Sequence, residues 1–455
     1  MIVTDKIEEI VNAGTLRPGR RIYVSGNAAT PQVLLRQVAA DTDITGMEMI
    51  SVLLLGDIEA IFSEACCRRI THRIIFNGPA SRDAANKGWA KYQLMHLSAI
   101  PSQVRDYLRP DVAMISVSGP DNGGNFSLGT TVEAVMAAVD TVRSQGGIVI
   151  AERNRQMPFV LGGTIPGAHI DYLLDTDYPL PASPVKPPNE SARRIGRLIA
   201  ELYVENGATL QYGIGQVPEA VTDAILDKGV NDLGIHTELF ADAMRRLIDA
   251  GVVTNRHTFT QSNFSMASIF LAGSVEGYDW LDFNSSVQSR PCDYTNSLLN
   301  IAQQPQMIAV NSAIGVDLHG NIWADSLQAR KIYSGVGGQA DFIRGASLSS
   351  GGVPIIAMSS TTAKGISKIV DKCPEGITTT AIAADPVVIV TENGVFDPRG
   401  LSFSERVVGI AHLADPAERD RLLQTVYDSK EFHNPTEALK SGRPKGFVAY
   451  DDIFT

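Results

Sequence analysis

Short apolar runs alternate with stretches of helical spacing through the first half of the chain. Runs opening at Arg21 (RIYVSG), Met47 (MEMISVLLLG), Arg73 (RIIFNG), Val112 (VAMISVSG) and Gly147 (GIVIAE) read as strands, most of them ending in a turn. Residues 31–41 and 131–146, between them, repeat apolar positions at helical spacing. The strands are continuously apolar rather than alternating, which predicts a sheet covered on both faces and hence an α/β class.

The pattern breaks at residues 177–191, where Pro179, Pro181, Pro184, Pro187 and Pro188 impose an extended, semi-rigid segment. A boundary near residue 185 divides the chain into 1–185 and 186–455. The second part restarts with a helix over 192–207, a strand and glycine turn from Thr209, and further strands near 307, 354 and 386. Both parts are α/β and of broadly comparable size, so two related lobes are expected.

Composition narrows the function. Lys+Arg 39 against Asp+Glu 50 gives a net charge of −11 with no long basic run, which argues against a nucleic-acid partner. The longest apolar run, residues 134–139, is far short of the ~20 residues of a membrane span. The charged N-terminus does not resemble a secretory signal, and a cytoplasmic protein is expected. Cys66, Cys67, Cys292 and Cys373 form no CxxC pair, so buried reduced thiols are the default. The eight histidines show no metal-ligand spacing and the serines no GxSxG elbow, so no metal site is expected.

Three segments carry candidate chemistry. In residues 212–229 a strand ends at Gly213, Gly213 and Gly215 bracket Ile214, and a helix begins near Pro218. The free N–H groups of such a helix start can hold an anion or a developing oxyanion, although a tight turn without a ligand has the same signature. In residues 234–255 Leu239, Ala243, Met244, Leu247 and Ile248 form one helical face, with Thr237 as N-cap and Gly251 closing the end. Glu238 then falls in the first helical turn, where it either stabilises the helix start or acts in chemistry. In residues 333–352 Gly335, Gly337 and Gly338 suggest a backbone cradle for an anion, with Lys331 and Arg344 nearby; a surface loop is the alternative. The turn at 116–129 and Asn296 are weaker candidates, Asn296 reading first as a structural cap.

Taken together, GIGQVPEAV from Gly213, HTELF around Glu238, SGVGGQADF from Ser334 and VTENGVFDPRG from Val390 resemble the acetyl-CoA hydrolase/transferase family, the class I CoA-transferases of the 4-hydroxybutyrate, butyrate and itaconate type. The segments at 116–131 and 151–158 fit as well, so the resemblance spans nearly the whole chain. It implies two α/β domains with largely parallel sheets sharing a cleft, a homo-oligomer, and ping-pong CoA transfer through a glutamyl-CoA thioester. Coenzyme A is then a substrate, with no tightly bound cofactor, and the partners are an acyl-CoA and a small carboxylic acid.

Carried onto this chain, the acylated glutamate is Glu238, and the oxyanion backbone positions are Ile214 and Gly337. The CoA contacts are Gly213, Gly215, Gln216, Val217, Pro218, Gly335 and Gly338, with Asn296 as a pocket amide. Itaconate or succinate with succinyl-CoA is expected first, then 4-hydroxybutyrate or butyrate with acetyl-CoA. Residues 378–386, TTTAIAADP, depart from the basic or histidine-rich segment of many relatives, which leaves substrate choice open. Hydrolysis by the same glutamate and non-catalytic CoA binding are the competing readings.

Overall fold

The computed structural model describes residues 1–260, 263–329, 331–432 and 444–454. Two large sheets organise it. The first has eight strands, all parallel, in the order Ile2–Thr4, Tyr172–Thr176, Ile148–Asn154, Val112–Val117, Arg21–Val24, Glu48–Ser51, Thr71–Ile74, Lys91–Tyr92. Val112–Val117 is buried at every position, as a strand covered on both faces must be. Helices Gln32–Ala40 and Val135–Ser144 supply part of that cover from the segments with helical spacing.

The second sheet has seven strands, in the order Gly234–Ile235, Thr209–Tyr212, Met307–Asn311, Val353–Ala357, Val388–Thr391, Gly394–Phe396, Phe447–Ala449. The first five run parallel and the last two are antiparallel additions at one edge. Among the described residues no helix is long and apolar enough to cross a membrane.

In an open parallel sheet, ligands collect at the carboxyl ends of the strands where the winding reverses. The second sheet reverses between Thr209–Tyr212 and Met307–Asn311: the chain leaves the former for one neighbour and returns later on its other side. The first sheet reverses between Arg21–Val24 and Val112–Val117. Gly213, Ile214 and Asn311 therefore lie at one switch point, and Asn27 lies just past the other.

Candidate active site

Glu238 sits in a connection between short strands, not in a helix. Leu239–Phe240 pairs in parallel with Ile269–Phe270, and the Glu238 carbonyl accepts the N–H groups of Ser268 (3.0 Å) and Ile269 (2.9 Å). The helix begins only at Asp242, with Ala241 at its N-cap. This corrects the expected first-turn position of Glu238. Thr237 is not a cap either; its hydroxyl donates to the Leu239 carbonyl at 2.9 Å. The helical spacing was real from Ala243 onward, and pairing with Ile269–Phe270 overrides it at Leu239. The dipole of the helix that follows it, Asp242–Asp249, therefore does not stabilise the carboxylate.

Hydrogen bonds and burial act on it instead. The Asn296 amide donates to Glu238 Oε2 at 2.8 Å, and the Gly338 N–H also favours the ionised form. The Asn296 orientation is set by Thr295, whose hydroxyl donates to Asn296 Oδ1 at 2.9 Å and leaves Nδ2 facing the glutamate. The Thr295 carbonyl is in turn held by the buried His236 ring at 2.8 Å. Burial outweighs these donors and pushes the Glu238 pKa up to about 7, with Asp341 and Glu133 adding like-charge repulsion. Asp341 is itself buried and raised, and Ser98 bonds it through its N–H (3.1 Å) and its hydroxyl (2.8 Å). Burial likewise raises Glu133 to about 7, while the Tyr23 hydroxyl donates to one of its oxygens.

The glycine loop at 333–338 reaches Glu238 from the second half but is anchored by the first. Arg82 Nε donates to the Tyr333 carbonyl at 2.8 Å, Asn77 to Ser334 at 3.3 Å, and the Leu97 N–H to Gly337 at 3.1 Å. Asn86 both donates to and accepts from the Ile332 backbone, at 3.0 and 2.8 Å. A side chain at Gly335 would press on the Ile75 carbonyl, 2.7 Å away. Gly337 has φ +62°, in the left-handed region that glycine adopts without strain. Gly338 caps the helix Gln339–Leu348, and a Cβ there would overlap Glu238 Oε2 and the Asn296 amide.

Glu238, Gly213, Ile214, Gly335, Gly337 and Gly338 all line one cavity of about 360 Å³ between the two halves. Gly215, Gln216, Val217 and Pro218 instead line an adjoining cavity of about 290 Å³, which also borders Ile214 and reaches Lys368. Their helix runs Gln216–Lys228, two residues ahead of the expected start at Pro218. Asn296, fully buried, lies behind Glu238 and is not part of the cavity wall. Arg344 pairs with Asp385 at 3.3 Å, so it supplies no free cation to the glycine loop. Residues 116–129 carry the short strand Asn125–Ser127, paired with Thr164–Pro166, and stay out of the cavity. Of the four free thiols, Cys66 and Cys292 are buried whereas Cys67 and Cys373 are only half-buried.

Several wall residues had not been singled out. Val52 and Leu53 continue the apolar run of a strand, but the strand ends at Ser51 and these two side chains line the cavity. Phe76 and Leu97 come from the first half as well. Gln211 and Asn311 form an amide pair across the second switch point, Asn311 donating to Gln211 at 3.1 Å. The available signal was an apolar run at Val52–Leu55 that outlasts a strand of ordinary length before it meets Gly56.

Residues 5–182 match the acetyl-CoA hydrolase/transferase N-terminal domain and residues 273–426 the C-terminal domain. The 4-hydroxybutyrate coenzyme A transferase of Clostridium kluyveri is 36% identical over 409 residues, covering 89% of this chain and 92% of that one. The succinyl-CoA:acetate/propanoyl-CoA:succinate CoA transferase of Fasciola hepatica is 33% identical, covering 91% and 86%. The crystal structure of RipA from Yersinia pestis superposes with a TM-score of 0.86 at 30% identity, covering 94% of this chain and 97% of that one. The chain belongs to the acetyl-CoA hydrolase/transferase family and is an enzyme of the CoA-transferase kind.

Proposed function

We propose that the enzyme moves CoA from a short-chain acyl-CoA to a small carboxylate by a ping-pong route through a glutamyl-CoA thioester on Glu238. The observation that carries this reading is the placement of Glu238. Among the described residues it is the one ionisable side chain lining an otherwise apolar and amide-lined cavity, with the backbone of Ile214 and Gly337 in the same walls.

A Glu238 oxygen attacks the acyl-CoA carbonyl, the C–S bond breaks, and CoA leaves as thiolate. The thiolate attacks Cδ of the resulting mixed anhydride, expels the first acid and leaves glutamyl-CoA. The acceptor carboxylate then attacks Cδ and releases the thiolate, which takes the new acyl group and frees Glu238. One thioester is exchanged for another, so the reaction is close to thermoneutral, and two split steps replace one difficult one. Each tetrahedral intermediate places charge on an oxygen, for which N–H groups at Ile214 or Gly337 are the donors in this reading. One such donor contributes about 2.7–4 kcal/mol.

The apolar walls supply what a carboxylate nucleophile needs, a site that is poorly hydrated and disfavours competing water. The cavity at Gly215–Pro218, with Lys368 at its rim, takes the CoA arm, whose binding energy holds the reacting ends together. A division near residue 185 separates the strands of the eight-stranded sheet, the last of which ends at Thr176, from those of the seven-stranded sheet, which begin at Thr209.

Free thiol released from an acyl-CoA, measured with and without an added carboxylate, tests the proposal. Exchange of CoA onto the added acid, with little thiol release in its absence, is expected. Thiol release independent of the acceptor would make the enzyme a hydrolase instead.

A further inference from the structure

We infer that the acyl end of the site takes short monocarboxylic acids with uncharged tails and excludes dicarboxylates. The inference rests on the transferase reading of the same cavity. It reverses the order of substrates expected from sequence, which placed itaconate and succinate first.

The apolar part of the cavity wall is built from Val52, Leu53, Phe76, Leu97, Ile269 and Leu271. No Lys, Arg or His lines the cavity among the described residues. His96, next to Leu97, is exposed and acts on Asp341 rather than lining the cavity, and two arginines on neighbouring segments are engaged elsewhere. Arg82 bonds the Tyr333 carbonyl and lies over its ring at 4.1 Å, and Arg290 bonds the Ser289 carbonyl (3.0 Å) and Gln288 (2.7 Å). Of the wall amides, Gln211 and Asn311 bond each other and the Gln339 amide donates to the Ser312 carbonyl at 3.3 Å; Asn27 Nδ2 has no partner, but a neutral amide supplies no countercharge.

A tail carboxylate would thus enter an apolar space without a cation, an arrangement that is strongly disfavoured when the charge is buried and unpaired. The acidic groups around the site offer no countercharge. Glu238 borders the cavity, and Asp341 and Glu133 act on it from behind with the same sign. A methylene tail gains instead, by about fourfold per buried CH₂.

The half-reaction isolates this claim. The wild-type enzyme is mixed with butyryl-CoA or succinyl-CoA, without acceptor, and the growth of the thioester adduct at Glu238 is followed by mass spectrometry. Adduct formation at least tenfold more efficient with butyryl-CoA, and acetyl-CoA below butyryl-CoA, is expected. Succinyl-CoA reacting as efficiently as butyryl-CoA overturns the inference while leaving the transferase reading intact. No adduct with any acyl-CoA overturns both. As a second arm, Leu53→Arg, at a half-buried wall position, places a guanidinium in the cavity. The ratio of succinyl to butyryl reactivity is expected to rise at least tenfold, and an unchanged ratio in a folded variant shows that this wall does not meet the acyl tail.

Discussion

The Gly338 α-carbon stands so close to the Glu238 carboxylate that any side chain there would overlap Oε2 and the Asn296 amide bonded to it. The φ of Gly338 is −96°, which every residue can adopt, so glycine is required by proximity and not by backbone conformation. Gly338→Ala is therefore expected to fold while displacing the glutamate. A drop in kcat of about 10²-fold or more is predicted, since small misplacements of a reacting group cost that much. Steady-state rates alongside thermal melting check it, and a fully active Gly338→Ala enzyme would show that the carboxylate need not stay where the structure has it.

Asn296 supplies the Glu238 carboxylate with a side-chain donor. Its hydrogen bond lowers the glutamate pKa against the larger effect of burial. Asn296→Ala should lower the rate of adduct formation at pH 7 and move the pH profile upward. The direction follows because loss of a donor to the ionised form favours the protonated one.

The pH profile of the wild-type enzyme has a definite sign. In the proposed mechanism Glu238 attacks as the carboxylate, and burial holds its pKa up to about 7. Between pH 6 and pH 8 the ionised fraction grows about tenfold. Single-turnover acylation should rise by that factor over the same interval, and a flat profile would mean that the nucleophile is already ionised at pH 6.

Stability should run the other way. Glu133 and Glu152 are buried, and both have pKa values raised to about 7 by that burial, above the ordinary glutamate range. The folded state holds these protons more tightly than the unfolded chain, so the stability they contribute is complete below about pH 4 and is lost as pH rises towards 7. Melting temperature is predicted to fall between pH 5 and pH 8, and Glu133→Gln to flatten the slope. An unchanged slope would show that Glu133 does not titrate in that window.

Arg82 touches neither cavity nor glutamate, yet it holds Tyr333 through a 2.8 Å bond and the ring contact. Arg82→Ala should lower kcat about tenfold by loosening the glycine loop. Its melting temperature should move little, because Arg82 is only half-buried and its bond to Tyr333 lies at the surface, where substitutions usually change little. Equal loss of stability and activity would reduce its part to general packing.

Much of this architecture can be read in the sequence because burial on both faces leaves continuous apolar runs. Val112–Val117 and Ile148–Asn154 are legible for that reason. The glycine loops are legible too, since Gly337 and Gly215 have φ of +62° and +133° that few residues tolerate. Glu238 was located as a residue but misplaced as structure: Leu239 belongs to a strand pair with Ile269, thirty positions on, and no local pattern encodes that. The same holds for Leu97 and Ser98, which meet Gly337 and Asp341 across more than 200 residues. The segment from Ala151 proves structural at Glu152, whose carboxylate accepts the Val33 and Leu34 N–H groups at 3.0 Å and closes the start of a helix.

The proposed mechanism requires that Glu238 become covalently bound to CoA. Incubation with butyryl-CoA alone, reduction with borohydride and peptide mapping test it directly. A modified residue at position 238 in the wild-type enzyme, and none in Glu238→Gln, is expected. An enzyme that turns over with an unmodified Glu238, or that carries the adduct on another side chain, would contradict it.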